Sequence, residues 1–146
     1  MSKLNMIKIG NDGQPLPEGS TESHVAVLLP QVGLMFTATD VATDVPHAQC
    51  EAACKASTVA GFTDWQMPTS DELMLLVDHS RREPAIDIDY FRDIESDWYW
   101  TRTPWINSNG EASASVAWFV SFYYGNVDYH YRGGRGCALA VRRAGQ

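Results

Sequence analysis

From Trp98 onward, two interleaved series of side chains run along the chain with period two. Trp98 and Trp100 alternate with Tyr99 and Thr101, while Val116, Trp118, Val120 and Phe122 alternate with Ala117, Phe119, Ser121 and Tyr123. Ala138 to Arg142 alternates again, and Tyr124-Gly125-Asn126 between the last two runs is a turn signal. Successive side chains of a strand point to opposite faces, so this spacing commits the last third of the chain to antiparallel strands.

The upstream residues carry other signals. Val25-Ala26-Val27-Leu28-Leu29 and Leu34-Met35-Phe36 are short apolar runs separated by Pro30 and Gly33, which predicts two strands and a tight turn. Pro46 to about Val59 predicts a first helix, with Ala48, Cys50, Ala52, Ala53, Cys54 and Ala56 small enough for close packing and Gly61 as its end. Thr69-Ser70-Asp71-Glu72 sets a hydroxyl and a carboxylate three residues apart as a capping box, and Leu73, Leu76 and Val77 continue a second helix. Residues 81–97 hold Pro84 and many charges without a sustained period, which predicts a long surface connection. Residues 9–23, rich in Gly, Asn, Asp, Pro, Ser and Glu, read as a loose lead-in. Helices first and antiparallel strands last make an α+β domain. Its expected extent is residues 24–146, preceded by an N-terminal extension over 1–23.

A chain of 146 residues with 45% hydrophobic side chains suits one core. It has no apolar run of transmembrane length, and Met1 to Gly10 lack the pattern of a secretory signal. The expectation is synthesis in the cytoplasm without membrane insertion. Three cysteines, Cys50, Cys54 and Cys137, are too few and too odd in number for a disulfide framework, which favours a reducing compartment. The net charge of −7 is uneven: residues 1–97 hold 16 acidic and 6 basic side chains, residues 98–146 hold 2 and 5. Such an acidic body argues against general nucleic-acid binding, while the basic end could meet an acidic partner or form a solvated face.

Residues 123–136 concentrate Tyr, Gly, Asn and Arg. Tyrosine gives rigid amphipathic contact area, arginine gives planar hydrogen bonding and glycine allows close backbone approach, the mixture found in antibody-type binding loops. The bland reading is that Tyr123, Tyr129 and Tyr131 simply pair across strands. Trp65 after Asp64 reads as a core anchor whose indole N–H needs a partner, and Trp105, beyond Pro104 in a polar stretch, reads as an exposed platform. The candidate ligand-binding residues are Arg102, Trp105, Tyr123, Tyr124, Asn126, Asp128, Tyr129, His130, Tyr131, Arg132 and Arg135.

Other chemistry finds little support. Asp87, Asp89, Asp93, Glu95 and Asp97 lack the spacing of a calcium loop and read as a solvated acidic segment. His47, Cys50 and Cys54 share a helix face and invite a zinc reading with Cys137, yet one helix rarely presents three converging ligands, and buried cysteines suit packing. No nucleophile-elbow, His-Glu-x-x-His or phosphate-loop motif is present, and Gly133-Gly134-Arg135-Gly136 precedes a strand and not a helix. No catalytic residue, metal site or cofactor is therefore expected.

In order, Gly33-Leu34-Met35-Phe36, Gly61-Phe62-Thr63-Asp64-Trp65-Gln66-Met67-Pro68-Thr69, Trp98-Tyr99-Trp100-Thr101-Arg102-Thr103-Pro104, Val116 to Val127 and Ala138 to Arg143 resemble the C-terminal domain of the Legionella collagen-like adhesin family. The resemblance spans most of the chain and implies a C-type-lectin-like fold, two helices packed on small antiparallel sheets, shared with the formylglycine-generating enzymes. Departures are Phe36 in place of tryptophan, Gln66-Met67 in place of Arg-Leu, Arg102 in place of serine, and Ala138-Leu139 before the closing strand. Cys54 sits at a family cysteine position, but Ala140 stands where secreted members carry another. The calcium-dependent sugar motifs of C-type lectins, Glu-Pro-Asn or Gln-Pro-Asp with Trp-Asn-Asp, are absent. Receptor-binding domains of this fold in phages carry hypervariable residues in the segment matching 123–136.

The resemblance thus implies a non-enzymatic recognition domain, phage or prophage encoded, that presents its C-terminal Tyr/Trp/Arg surface to a host protein or surface glycan. Two other readings stand beside it. One is an intracellular effector that binds and blocks a host defence protein. The other is a structural virion or adhesin component, a homo-oligomer such as a trimer or dimer. The place of action is then the host cytoplasm or the virion.

Overall fold

Pro30 and Gly33 bracket the first turn, where the N–H groups of Val32 and Gly33 both donate to Leu29 O and Gly33 takes a positive φ of 66°. This turn joins β2 (Ala26–Leu29) to β3 (Leu34–Thr37) with Val27 opposite Phe36 and Leu29 opposite Leu34. The computed structural model describes residues 4–94 and 97–144. Residues 1–3 of the expected extension, Glu95 of the acidic series and the last two residues of the expected domain lie outside the described residues.

The fold is mixed α+β, mostly sheet with two small helices. The further elements are β1 (Ile7–Ile9), β4 (Ala42–Val45), α1 (His47–Ala56), α2 (Ser70–Met74), β5 (Trp98–Ile106), β6 (Ala112–Ser121), β7 (Asn126–Tyr131), β8 (Gly136–Ala138) and β9 (Val141–Arg143). One sheet, antiparallel throughout, has the order β1-β2-β3-β9; the other, β4-β8-β5-β6-β7, departs from the antiparallel expectation where β8 runs parallel to β5 with Tyr99 opposite Cys137. Val27, Leu29, Phe36 and Val141 of the first meet Tyr99, Val120 and Phe122 of the second in one core cluster, together with Leu73 and Leu76. A second cluster sets Cys50 and Cys54 of α1 against Trp100, Ala117, Phe119 and Ala138.

Several expectations change. Within the expected N-terminal extension, Ile7–Ile9 pairs with β2 and Ile9 is buried, because its apolar side chain fits the face of Ala26 and Met35. The first helix ends at Ala56, well before Gly61. Ser57 is already extended, and Ser57-Thr58 are residues whose hydroxyls compete with helix hydrogen bonding; a 3₁₀ turn over Val59–Gly61 follows. Thr69 does form the capping box, its hydroxyl oxygen accepting the Glu72 N–H while the Glu72 carboxylate accepts the Thr69 N–H. The connection expected to run over the surface from 81 to 97 instead inserts Ala85, Ile86, Phe91 and Ile94 into the core, and Ala85 N–H donates to Phe122 O. Those four apolar residues follow neither a helical nor a strand period, so no pattern announces them. The alternation expected as one closing strand is split, with β8 in one sheet and β9 in the other.

His24 and His47 are buried and donate from Nε2 to the carbonyls of Tyr90 and Thr101, at 2.6 and 2.8 Å. Burial holds both imidazoles below their ordinary pKa of 6.5, partly offset by these hydrogen bonds. The unfolded chain therefore binds more protons than the folded one as pH falls below about 6.5, and stability falls with it. Urea midpoints are expected to drop between about pH 7 and about pH 5, and a His24→Gln/His47→Gln variant, which keeps an N–H donor at each site, should flatten that slope. An equal slope in the variant would assign the loss to other groups.

Candidate recognition surface

The β6–β7 ladder determines which of the candidate residues meet. Val116 lies opposite Tyr131, Trp118 opposite Tyr129 and Val120 opposite Val127, so these six share one face of the sheet. Ala117, Phe119 and Ser121 share the other with His130, Asp128 and Asn126. At one end of the first face, Tyr99, Val120 and Phe122 are sealed in the core. At the other, the cover stops and Val116, Trp118, Tyr129 and Tyr131 meet solvent, with Tyr129 49% and Tyr131 69% exposed. A single rigid face thus passes from core to surface.

Trp105 joins this open end. Its sequence position suggested a polar loop, but it is part of β5 and half-buried. An irregularity in the β5–β6 register between Trp100 and Pro104 puts Pro104 opposite Ala117, and so brings Trp105 level with Val116. The ring of Tyr129 lies between two indoles, its centroid 5.8 Å from Trp105 and 5.3 Å edge-on from Trp118. Trp105, Val116, Tyr129, His130 and Tyr131 line an open hollow of about 510 Å³. The hollow is bordered by rings and one valine, a mostly apolar lining of the kind found at sites that bury an apolar body and orient it with few polar groups.

The remaining candidates lie elsewhere. Tyr123 and Tyr124 stand together at the β6–β7 turn, ring centroids 4.5 Å apart, and Tyr124 is 64% exposed. The Glu83 carboxylate beside Tyr123 accepts its hydroxyl and raises that phenol above its usual range. The turn itself spans Phe122–Gly125, and Asn126 already begins β7. His130 packs its imidazole on Trp98 at 4.7 Å, and Trp98 in turn stacks on Phe119 at 4.3 Å. Asn126 and Asp128 are exposed on the His130 side.

The arginines are held by carbonyls. Arg102 Nε donates to Met67 O and its guanidinium stands 3.9 Å from Glu72, which ties β5 to the start of α2. Arg132 Nη2 donates to Ser113 O, and Arg135 Nη1 to Asp44 O. Arg142 packs on the Phe62 ring at 3.7 Å and pairs with Asp64, whose carboxyl is held below its usual range by that hydrogen bond.

Sequence reasoning missed Val116 and Trp118 as surface residues. They share the parity of buried Val120 and Phe122, and parity does not say where the cover ends. A larger recess of about 1010 Å³ opens on the β1–β2–β3–β9 sheet near Phe62 and Arg142, but it offers one aromatic ring, already covered by that guanidinium.

The reactive side chains are held in packing. Burial raises the Cys50 and Cys54 thiols to about 12, and their Sγ atoms point at the carbonyls of Val45, Gly136 and Leu139. Trp65 donates its indole N–H to Val59 O at 3.0 Å, as a core anchor requires. Among the described residues no group of three or more His, Cys, Asp or Glu side chains converges on a metal position, and no helix is long and apolar enough to cross a membrane.

The family model of the Lcl C-terminal domain matches residues 27–142. Among solved structures, the crystal structure of botrocetin is similar at 8% identity, covering 76% of this chain and 91% of that chain with a TM-score of 0.45. No curated protein matches the chain.

Proposed function

Because the chain belongs to the Lcl C-terminal domain family, we propose that it is a non-enzymatic recognition domain of C-type-lectin-like fold whose binding site is the hollow of Trp105, Val116, Tyr129, His130 and Tyr131, with Trp118 packed edge-on against Tyr129 beside it. The observation that carries this reading is that the core-backed face of β6 emerges as open aromatic surface at one end. Rings anchored in a rigid sheet supply contact area at small entropic cost, and they concentrate binding energy in a few positions. The ligand is a host protein or a surface glycan that presents an apolar face to the rings. The rings are packed against one another, tilted and edge-on, before any ligand arrives, so little reorganisation opposes binding.

The test is to probe an array of glycans and a host-cell lysate in parallel with the tagged protein and with a Trp105→Ala/Tyr129→Ala/Tyr131→Ala variant. A glycan or protein retained by the first and lost from the second supports the hollow. Equal retention by both removes it as the site.

A further inference from the structure

The sheet edges other than β7 are covered by the chain itself. Beside β1, Leu16 N–H donates to Lys8 O and Ile9 bridges Pro15; beside β9, Gln66 exchanges two hydrogen bonds with Val141. β4 is broken by the positive φ of Asp44, whose carbonyl Arg135 occupies. β7 is different: it is the last strand of its sheet, and all six of its residues are exposed. A row of open N–H and C=O groups of this length invites a further strand.

Which groups face outward follows from the ladder. Arg132 N–H donates to Ser115 O across the β6–β7 pair, so in the alternating antiparallel pattern His130, Asp128 and Asn126 turn their main chain toward β6, and Val127, Tyr129 and Tyr131 turn theirs away. An added antiparallel strand needs both groups of each outward residue. Two of those groups are taken. The Asp128 carboxylate accepts the Tyr129 N–H at 2.8 Å, and Tyr131 O receives the Gly134 N–H at 2.9 Å and stands 3.1 Å from His130 Nδ1. Only Val127 keeps both.

We infer that Asp128 is an edge guard, its carboxylate closing the middle of β7 so that a second copy of this chain cannot add its own β7 there. Recognition is then left to the side-chain face of the strand and not to its main chain. Asp128 is exposed and anchors nothing in the core, so it can be replaced without disturbing the fold.

The experiment is sedimentation velocity over a concentration series for the native protein, Asp128→Ala and Asp128→Asn, with circular dichroism to verify folding. Alanine uncovers the Tyr129 N–H, and two copies each regain a hydrogen bond, so the self-association constant should rise about tenfold or more over the native value, whatever oligomer the native protein forms. Asparagine keeps an acceptor oxygen and should match the native protein. An unchanged Asp128→Ala, or an Asp128→Asn that associates as strongly, overturns the proposal. Amide exchange tests the same contact without any variant. Tyr129 N–H should exchange more slowly than the outward Tyr131 N–H, and equal rates would overturn the guard.

Discussion

Tyr131→Ala and Trp105→Ala should each weaken ligand binding about thirtyfold or more, while Tyr124→Ala should change it less than about threefold, because truncating a central aromatic anchor costs about 2 kcal/mol or more and peripheral contacts cost little. The contrast follows from placement. Tyr131 and Trp105 line the hollow, whereas Tyr124 lies beyond the first residue of β7 at the turn, with Tyr123 as its ring neighbour. From Asn126 to Tyr131 the strand spans about 16 Å, too far for one side chain's contact to serve both ends. Titration calorimetry on the three variants, with a ligand identified by array or capture, checks both numbers. Stability should change little in any of them, since half-buried and exposed rings contribute less than buried ones.

Trp100→Ala should do the reverse and destabilise the fold by about 3–5 kcal/mol, a large share of the roughly 5–15 kcal/mol that holds a domain together. Trp100 is fully buried, meets the His47 imidazole edge-on at 5.2 Å and the Phe119 ring at 6.0 Å, and donates its indole N–H to Gly134 O. It therefore joins α1, β5, β6 and the loop that leads into β8. Its fit is tight on the β8 side as well, where a Cβ on Gly136 would come within 3.0 Å of Trp100 Nε1. A drop in the thermal midpoint of about 10 °C or more is expected, and any ligand affinity retained at low temperature should stay near native. A small shift would show that the second core cluster does not depend on this ring.

The strands of the last third, the β2–β3 hairpin and the capping box at Thr69 were legible because each has a local cause: alternation, a Pro/Gly turn and a hydroxyl three residues from a carboxylate. The segment around Ile86 and Phe91 was not, because its burial comes from tertiary packing under Phe122 and Tyr99 and leaves no period in the sequence. The same holds for the split between β8 and β9, which depends on which sheet each half reaches. For the proposed site, Tyr129, Tyr131 and Trp105 could be named from residue type, but their separation from Tyr123 and Tyr124 required the register. Arg102, Arg132 and Arg135 looked like ligand contacts by composition, and the structure ties each of them to a backbone carbonyl. Residue type tells what a side chain can do, and only the fold tells whether a carbonyl nearby already occupies it.

The most direct measurement is a proton–nitrogen spectrum of the tryptophan indoles with and without the ligand. The indole signals of Trp105 and Trp118 should shift or broaden on binding. Those of Trp65 and Trp100, held by Val59 O and Gly134 O, should stay in place as internal references. Shifts at Trp65 and Trp100, or a bound state that leaves Trp105 and Trp118 unmoved, would contradict the aromatic hollow as the site of recognition.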